Sequence, residues 1–246
     1  CIDAFRELAR SGNVFSTSLP GHADGWGIAV YKEDSSSPSV YKSLSSGADD
    51  RDFDIHSFLE EGKAESGIAH LRKKTVGELA LPNTHPFISG KYSFIHNGTI
   101  ASDRDVYHTL APSCEGSTDS ERLFRKFLEI KKSNADKEEL STLHAYLEMI
   151  MATKKEHPEY SAINTILHDG DSLYVSRVIN LERGDHTKEV LENYYTLYIG
   201  TTICGGTIVA SEALSSEIIS SQTLLPNNSL SVISLMDGSL RTYTVL

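Results

Sequence analysis

The stretch GIAHLRKKTVGELALPNTHPFISGKYSFIHNG, residues 67–98, concentrates the features that decide the fold and the chemistry of this 246-residue chain. It begins with a β-strand pattern that ends at Arg72, and it closes with a second strand pattern that ends at Asn97-Gly98. A side chain at the end of a strand can project into a cleft. These two strand ends are therefore the first candidates for a functional site.

Each strand end allows a functional and a structural interpretation. Arg72 offers a planar fork of donors that fits a carboxylate, although an arginine in that position is also an ordinary surface residue. Asn97-Gly98 after an alternating strand is the strongest short signal for a β-hairpin. The same pair can form an oxyanion hole, in which the Asn97 amide and the Gly98 N–H point at one oxygen and glycine permits close backbone approach. Both alternatives stay open at this point.

The first residue adds a candidate nucleophile. Cys1 carries a thiol and, if nothing precedes it, an α-amine, groups whose ordinary pKa values are ~8.5 and ~7.7–8.0. A side-chain nucleophile activated by an N-terminal amine is an established route to covalent catalysis. The alternative is that the sequence begins here because a leading segment was trimmed. Residue 1 alone does not decide between them.

Composition restricts the class of protein. The formal net charge of −11 and the pI near 5.3 argue against a nucleic-acid partner, because a phosphate backbone requires a basic face. No apolar run approaches ~18 residues, and no secretory signal is recognisable, so no membrane segment is expected. The three cysteines are widely spaced and do not form a disulfide framework. These features predict a soluble, cytoplasmic protein.

Four histidines, His22, His70, His85 and His96, fall near acidic residues and raise the question of a metal site. None of them shows the His-x-x-x-His spacing of a helical zinc site, and no cysteine pair accompanies them. We therefore expect no metal and no cofactor. The histidines are interpreted as structural residues whose hydrogen bonds are satisfied.

Outside this stretch, periodicity predicts strands, then two helices, then strands again. A capping-box pair, Thr118 and Glu121, introduces a helix from Asp119 to about residue 132, and a second helix ends near His157. Later segments predict a strand over residues 194–199 and hairpins around residues 169–170 and 237–238. This order favours an α+β layered fold over alternating βαβ units, and no segment has the composition of a linker.

Several motifs together resemble the class II glutamine amidotransferases, a family of N-terminal nucleophile hydrolases, and its stand-alone members in particular. The motifs are Cys1, Asp24-Gly25-Trp26-Gly27, His70-Leu71-Arg72-Lys73-Lys74-Thr75-Val76-Gly77, Asn83-Thr84-His85-Pro86-Phe87, His96-Asn97-Gly98, Thr118-Asp119-Ser120-Glu121 and Val209-Ala210-Ser211-Glu212-Ala213-Leu214. The similarity extends from residue 1 to about residue 214. It favours Cys1 as a true N-terminus.

The resemblance implies a fold and a catalytic group. The implied fold is a four-layer αββα sandwich of two antiparallel sheets, with residues 1–246 forming a single glutamine amidotransferase type-2 domain. Carried over to this sequence, Cys1 is the nucleophile and its α-amine is the base. Asn97 and Gly98 are the oxyanion donors. The implied reaction proceeds through a γ-glutamyl thioester.

The resemblance also implies the residues that bind the substrate. Arg72 would bind the α-carboxylate of glutamine, Asp119 its α-ammonium group, and Thr75 would line the pocket. Asp119 also reads as an acid at a helix N-terminus, which the helix dipole stabilises. His70, His85 and His96 would form the framework of the cleft.

Three functions fit these residues. The first, which we favour, is a glutaminase that releases ammonia for a separate synthetase, because the recognisable pocket residues all address the glutamine portion and no synthase domain is expected within the chain. The second is an amidohydrolase that cleaves a γ-glutamyl amide or peptide bond in a small metabolite. The third is a catalytically silent binding protein on the same fold, against which the intact site residues argue. The sequence does not identify the acceptor or the oligomeric state.

Overall fold

The computed structural model of the chain describes residues 2–14, 21–33, 35–50, 55–60, 63–73, 78–100, 114–133 and 141–245. Cys1 and Thr75 therefore lie outside the described residues. The described part contains helices α1 (Ile2–Ser11), α2 (Ile55–Glu60), α3 (Asp119–Ser133), α4 (Thr142–Glu156) and α5 (Lys188–Tyr194). Among these helices, none is both long and apolar enough to cross a membrane.

The strands of the described part pair antiparallel throughout. They are β1 (Trp26–Lys32), β2 (Ser39–Ser43), β3 (Ala64–Leu71), β4 (Phe87–Ser89), β5 (Tyr92–Asn97), β6 (Asn164–His168), β7 (Ser172–Arg177), β8 (Tyr198–Thr202), β9 (Thr207–Ala210), β10 (Ile219–Leu224), β11 (Ser229–Ser234) and β12 (Leu240–Thr244). They form a six-stranded sheet in the order β12-β11-β7-β6-β5-β4 and two three-stranded sheets, β2-β1-β3 and β10-β8-β9.

The six-stranded sheet is covered on both faces, because alternate residues of a strand point to opposite sides. Leu167 of β6 and Tyr174 of β7 belong to the core beneath α3 and α4. Their neighbours Ile166 and Val175 pack on the other face, against residues of the β10-β8-β9 sheet. The sheet therefore has a helical layer on one side and a second sheet layer on the other.

The largest core lies between α3, α4 and the six-stranded sheet. Phe94 of β5 stacks on Phe124 of α3 with ring centroids 5.4 Å apart, and both side chains are fully buried. Burying one such aromatic ring contributes about 1.5–3 kcal/mol. This layer fixes the end of β5 relative to the start of α3, which matters for the site described below.

The outer layer on the opposite side consists of α1 and α2, which pack on β1. Trp26, Ile28 and Val30 alternate along β1 and form a core with residues of both helices. Phe5 of α1 contacts Trp26 edge-on, with ring centroids 5.9 Å apart. The chain is thus an α+β protein, as the order of its elements predicts, and a four-layer αββα sandwich, as the family resemblance implies. Trp26 is also the sole tryptophan of the sequence. Because Phe5 of α1 contacts its ring, tryptophan fluorescence reports on the packing of α1 against β1.

His168 joins the two sheet layers. Its Nδ1 accepts a hydrogen bond from the Gly170 N–H at 3.0 Å, so Nε2 carries the hydrogen and donates it to Ser66 Oγ of β3 at 2.8 Å. The ring stacks on Tyr31 of β1 at a centroid distance of 3.6 Å. Burial lowers the pKa of His168 to about 4, against a smaller opposing effect of Asp171.

This arrangement predicts acid sensitivity. An unfolded histidine binds a proton below pH ~6.5, whereas folded His168 resists it until about pH 4, so the unfolded state binds more protons in that window. The free energy of unfolding should therefore fall by about 3 kcal/mol from this residue as pH drops from 6.5 to 4. Urea unfolding followed by Trp26 fluorescence measures it. His168→Gln should be less stable at pH 7 yet lose less stability on acidification, and parallel pH curves for the two proteins would contradict the assignment.

Most of the predicted elements are present. The helix predicted from Asp119 to about residue 132 runs to Ser133, and the hairpins around residues 169–170 and 237–238 are β6-β7 and β11-β12. The strand predicted over residues 194–199 is wrong in position, because the chain forms α5 up to Tyr194 and starts β8 at Tyr198. Thr187 accepts a hydrogen bond from the Val190 N–H and so caps the N-terminus of α5, a helix that the sequence analysis did not predict.

The hairpin alternative for Asn97-Gly98 is also wrong. The partners of β5 in the sheet are β4 and β6. The turn between β4 and β5 is at Gly90, and β6 begins only at Asn164. Asn97-Gly98 therefore terminates a central strand and joins no neighbouring strand in a tight turn.

Candidate active site

A cavity of about 660 Å³ contains four of the residues singled out by the sequence, namely Arg72, Asn97, Gly98 and Asp119. Its lining includes residues of β1, β3, β5, β6, β7 and β9 and of α1, α2 and α3. Ile2, the first described residue, is part of that lining. Arg72 and Asp119 thus line the same cavity although they are 47 positions apart in the sequence.

Arg72 is held by its backbone and its side chain. Its N–H donates to the Gly25 carbonyl at 2.9 Å, and its carbonyl accepts from the Asp24 N–H at 3.0 Å, which extends the β1-β3 pairing by one residue. The guanidinium Nη2 donates to the Glu78 carbonyl at 3.1 Å. Arg72 is only 4% exposed, and burial lowers its pKa while Asp24 raises it. The surface alternative for Arg72 is therefore wrong.

Gly98 occupies a backbone conformation that favours glycine. Its φ is +149°, and a Cβ at this position would lie 2.0 Å from the Ala162 carbonyl oxygen. Such a separation is far inside van der Waals contact, so a side chain would push the strand end away from Ala162. The structure thus gives a steric reason for glycine here that the hairpin interpretation did not contain.

Hydrogen bonds on both sides hold the turn that follows β5. Thr99 and Ser161 exchange two of them, from the Thr99 N–H to Ser161 Oγ and from the Ser161 N–H to the Thr99 carbonyl, each 2.8 Å long. The Ile100 N–H donates to Asp119 Oδ2 at 2.7 Å. The Asn97 side chain has no hydrogen-bond partner among the described residues and faces the cavity. The backbone around Asn97 is fixed while its amide is available.

Asp119 connects this turn to the start of α3. It is 7% exposed, and its Oδ1 accepts the Ser120 N–H at 2.8 Å. Each carboxylate oxygen has a second lone pair, so these two backbone contacts leave acceptor capacity for a cation. The carboxylate can therefore serve the helix N-terminus and accept a further hydrogen bond at the same time.

The capping box is formed only in part. Thr118 Oγ1 accepts the Glu121 N–H at 3.3 Å, as the pattern predicts. The Glu121 carboxylate instead accepts the backbone N–H groups of Glu115 at 2.9 Å and Gly116 at 2.7 Å. Glu121 therefore anchors the loop that precedes α3.

The histidines form a framework at the cavity wall. His96 Nε2 lies 3.0 Å from the Ala162 carbonyl and must donate to it, which makes Nδ1 the acceptor for the Ser120 hydroxyl at 2.9 Å. His70 and His85 pack ring to ring with centroids 4.1 Å apart. Burial lowers the pKa of His70 to about 3 and that of His85 well below its usual value, so both are neutral at physiological pH.

The expectation that these histidines are satisfied is only partly correct. His96 uses both ring nitrogens, but neither nitrogen of buried His85 has a hydrogen-bond partner among the described residues. Its ring instead packs on His70 and on Phe87. Within the described ranges, no three His, Cys, Asp or Glu side chains are grouped so that they could hold a metal ion.

Two further residues were not assigned a role from the sequence. Buried Asn83 accepts the Ser117 N–H at 2.7 Å and donates to the Glu78 carbonyl at 3.0 Å, the same carbonyl that Arg72 contacts. Glu212 accepts the Asn13 N–H at 2.9 Å and so ties the chain after α1 to the chain after β9. Both residues lie inside motifs quoted above, and only the tertiary contacts show what they do.

The family model "Glutamine amidotransferases class-II" matches residues 4–183, and the chain belongs to that family. A candidate glutamine amidotransferase of Haemophilus influenzae is 32% identical over 171 residues, which cover 65% of this chain and 54% of that protein. An uncharacterised protein of Methanocaldococcus jannaschii is 26% identical over 71% of this chain and 48% of its own length. This chain thus spans about half the length of the curated relatives it matches.

Solved structures support the fold. A glutamine aminotransferase class-II domain protein from Silicibacter pomeroyi superposes with a TM-score of 0.61 at 19% identity, over 91% of this chain and 92% of that one. The glutamine phosphoribosylpyrophosphate amidotransferase of B. subtilis superposes with a TM-score of 0.64 at 14% identity, over 99% of this chain and 45% of that one. At these identities the likeness establishes the sandwich architecture.

Proposed function

We propose that this protein hydrolyses the side-chain amide of glutamine through a γ-glutamyl thioester on Cys1 and releases ammonia for a separate acceptor enzyme. The observation that carries the proposal is the convergence of Arg72, Asn97, Gly98 and Asp119 on one cavity in a member of the class-II glutamine amidotransferase family. We further propose that residues 1–246 act as one glutamine amidotransferase domain in the cytoplasm.

Arg72 and Asp119 supply the two charges that a free α-amino acid end requires. The guanidinium of Arg72 is a bidentate donor for the α-carboxylate, and its burial strengthens a charge-assisted hydrogen bond. Asp119 accepts from the α-ammonium with the lone pairs that its backbone contacts leave open. Thr75, outside the described residues, stays a predicted lining residue of the pocket.

The proposed reaction then follows in two steps. The α-amine of Cys1 takes the thiol proton, the sulfur attacks the γ-carbonyl carbon, and the oxyanion receives hydrogen bonds from the Asn97 amide and the Gly98 N–H. The C–N bond breaks as the α-ammonium protonates the leaving nitrogen, which departs as ammonia. Water then attacks the thioester, the C–S bond breaks, and glutamate and the free thiol are restored. Oxyanion stabilisation is a large part of such catalysis because the neutral amide is a weak electrophile.

The test of this function is a glutaminase assay on Asn97→Ala. Loss of one oxyanion donor should lower kcat by about 10²–10³-fold. The melting temperature should stay close to that of the wild type, because the Asn97 side chain has no partner within the described residues. Glutamate release and thermal unfolding are measured on the same preparation.

Asn164 provides the matched control, since it faces Asn97 across the β5-β6 pair but is fully engaged. Its amide donates to the Tyr195 carbonyl at 3.1 Å and accepts the Val178 N–H at 3.1 Å. Asn164→Ala should therefore lower the melting temperature by several degrees. If Asn97→Ala destabilises the protein as much as Asn164→Ala does and retains wild-type kcat, Asn97 is a structural residue and the mechanism is wrong.

A further inference from the structure

The cavity is larger than glutamine needs. Its volume of about 660 Å³ lies within the ~300–1,000 Å³ typical of pockets that enclose drug-sized molecules. The four residues proposed to bind and activate glutamine lie directly after β3, at the end of β5 and at the start of α3. The remaining lining includes β9 and the segment that leads into β8, on the other three-stranded sheet.

This second part of the cavity, the distal lobe, is apolar. Its side chains include Leu197, Val209, Ile166 and Leu173, and all four belong to one apolar cluster between the sheets. Residues 194–214 contain no lysine or arginine. Glu212 is the sole formal charge in that segment, and both Glu212 and Lys73 lie near His22 and act on its pKa in opposite directions. A phosphate or carboxylate group would find no dedicated cation on this wall.

Hydrogen bonds place the distal lobe beside the oxyanion residues. Asn97 pairs with Asn164 across β5 and β6, and the Asn164 amide donates to the Tyr195 carbonyl at 3.1 Å. Tyr195 in turn leads directly to Leu197 at the lobe. The scissile amide, held near Asn97, is therefore the part of a bound glutamyl group that borders this wall.

From this geometry we infer a further activity of the same site: hydrolysis of γ-glutamyl amides whose nitrogen carries a neutral apolar or aromatic group, with that group seated in the distal lobe. The inference rests on the proposed function, because it uses the same glutamyl-binding residues and the same nucleophile. An N-substituent that carries a phosphate or carboxylate group should bind less well in the distal lobe, because residues 194–214 offer it no positive charge.

The chemistry balances without a further reactant. The Cys1 thiolate attacks the γ-carbonyl carbon, the C–N bond breaks, and the amine leaves with the proton that the α-ammonium of Cys1 returns. Water hydrolyses the thioester, so one amide and one water give glutamate and one free amine. The step differs from glutamine hydrolysis only in the substituent on the leaving nitrogen.

The test compares γ-glutamylbenzylamide with γ-glutamylmethylamide on the full chain, with glutamate release as the readout. Both leaving groups are primary alkylamines, so the difference reports mainly on the ring. We expect kcat/KM for the benzylamide to exceed that for the methylamide by about 10–100-fold, the factor that burial of an aromatic ring supplies. Equal values, with glutamine hydrolysed normally, would overturn the inference and leave the proposed function standing.

Val209→Trp tests whether the β9 wall contacts the apolar group of the substrate. Val209 lines the cavity and its side chain belongs to the apolar cluster of the distal lobe, so an indole at this position takes up space in the lobe. It should lower kcat/KM for the benzylamide by about tenfold and leave that for glutamine within about twofold. Ile203→Trp is the matched control, since Ile203 is 63% exposed at the turn between β8 and β9 and should change neither.

The remaining outcomes are equally decisive. A preference for the benzylamide that Val209→Trp leaves intact would overturn the placement of the apolar group on β9. If Val209→Trp does not fold, Val209→Ala should weaken hydrolysis of the benzylamide selectively, because it removes the contact. Absence of hydrolysis of glutamine and of both amides, with no labelling of Cys1 by a thiol-directed glutamine analogue, would refute the proposed function and the inference with it.

Discussion

Replacement of Cys1 by alanine is expected to abolish glutamine hydrolysis, with a loss in kcat on the order of 10⁴–10⁶-fold, as for other enzymes that lose their nucleophile. None of the described side chains that line the cavity offers a thiol, because Cys114 and Cys204 are absent from its lining. A chain with one uncleaved residue before Cys1 should lose activity nearly as completely. The nitrogen of Cys1 would then be part of a peptide bond, and an amide nitrogen cannot take the thiol proton at neutral pH.

The controls separate chemistry from folding. Cys114→Ala and Cys204→Ala should retain full activity, and a thiol-directed alkylating analogue of glutamine should label Cys1 and spare both. Trp26 fluorescence should be unchanged in Cys1→Ala, because the contact of α1 with Trp26 runs through Phe5. Wild-type rates in the chain with a leading residue would show that the amine is not the base.

Gly98→Ala is expected to remove activity and to destabilise the protein. The alanine Cβ would lie 2.0 Å from the Ala162 carbonyl oxygen, and a φ of +149° is itself unfavourable for a residue with a side chain. Strain of this kind costs about 1–3 kcal/mol. Relief of the clash would move the Gly98 N–H away from the proposed oxyanion position, so kcat should fall by at least ~10²-fold.

Gly90→Ala is the matched control for this variant. Gly90 has a φ of +56°, and a Cβ at this position would meet no atom within 4 Å, so an alanine there bears only the backbone cost, about 1–2 kcal/mol. Thermal unfolding and kcat of both variants decide the matter. A Gly98→Ala protein that keeps its kcat and melts like Gly90→Ala would show that Gly98 is merely a permissive turn residue.

The sequence by itself predicted the elements whose signals are local. Turn residues at 169–170 and 237–238 specify hairpins within a few residues, and Thr118 specifies the start of α3 through a hydrogen bond three residues away. The order of these elements predicted the α+β layers. The resemblance to class II glutamine amidotransferases, carried by short motifs, predicted the family to which the chain belongs.

The tertiary structure decided where the local signals were ambiguous or silent. Asn97-Gly98 has the local chemistry of a hairpin turn. However, the strand that pairs with β5 beyond this point is β6, which begins more than sixty residues later. A two-residue turn cannot connect strands that are so far apart in the sequence. The edge strand β10 escaped prediction because most of its side chains are exposed and show no alternation of burial. Pairing with β8 alone makes it a strand.

The site shows the same division. The sequence singled out Arg72 as a partner for a carboxylate and Asn97-Gly98 as donors to an oxyanion, and those roles stay predictions. Their convergence was not readable, since Arg72 ends β3 of one sheet, Asn97 ends β5 of another, and Asp119 starts a helix that packs on the far face of the second sheet. Contacts such as Asn13 to Glu212 join residues 199 positions apart. Only the packing of the layers brings such groups together, and no local pattern encodes a distance across a fold.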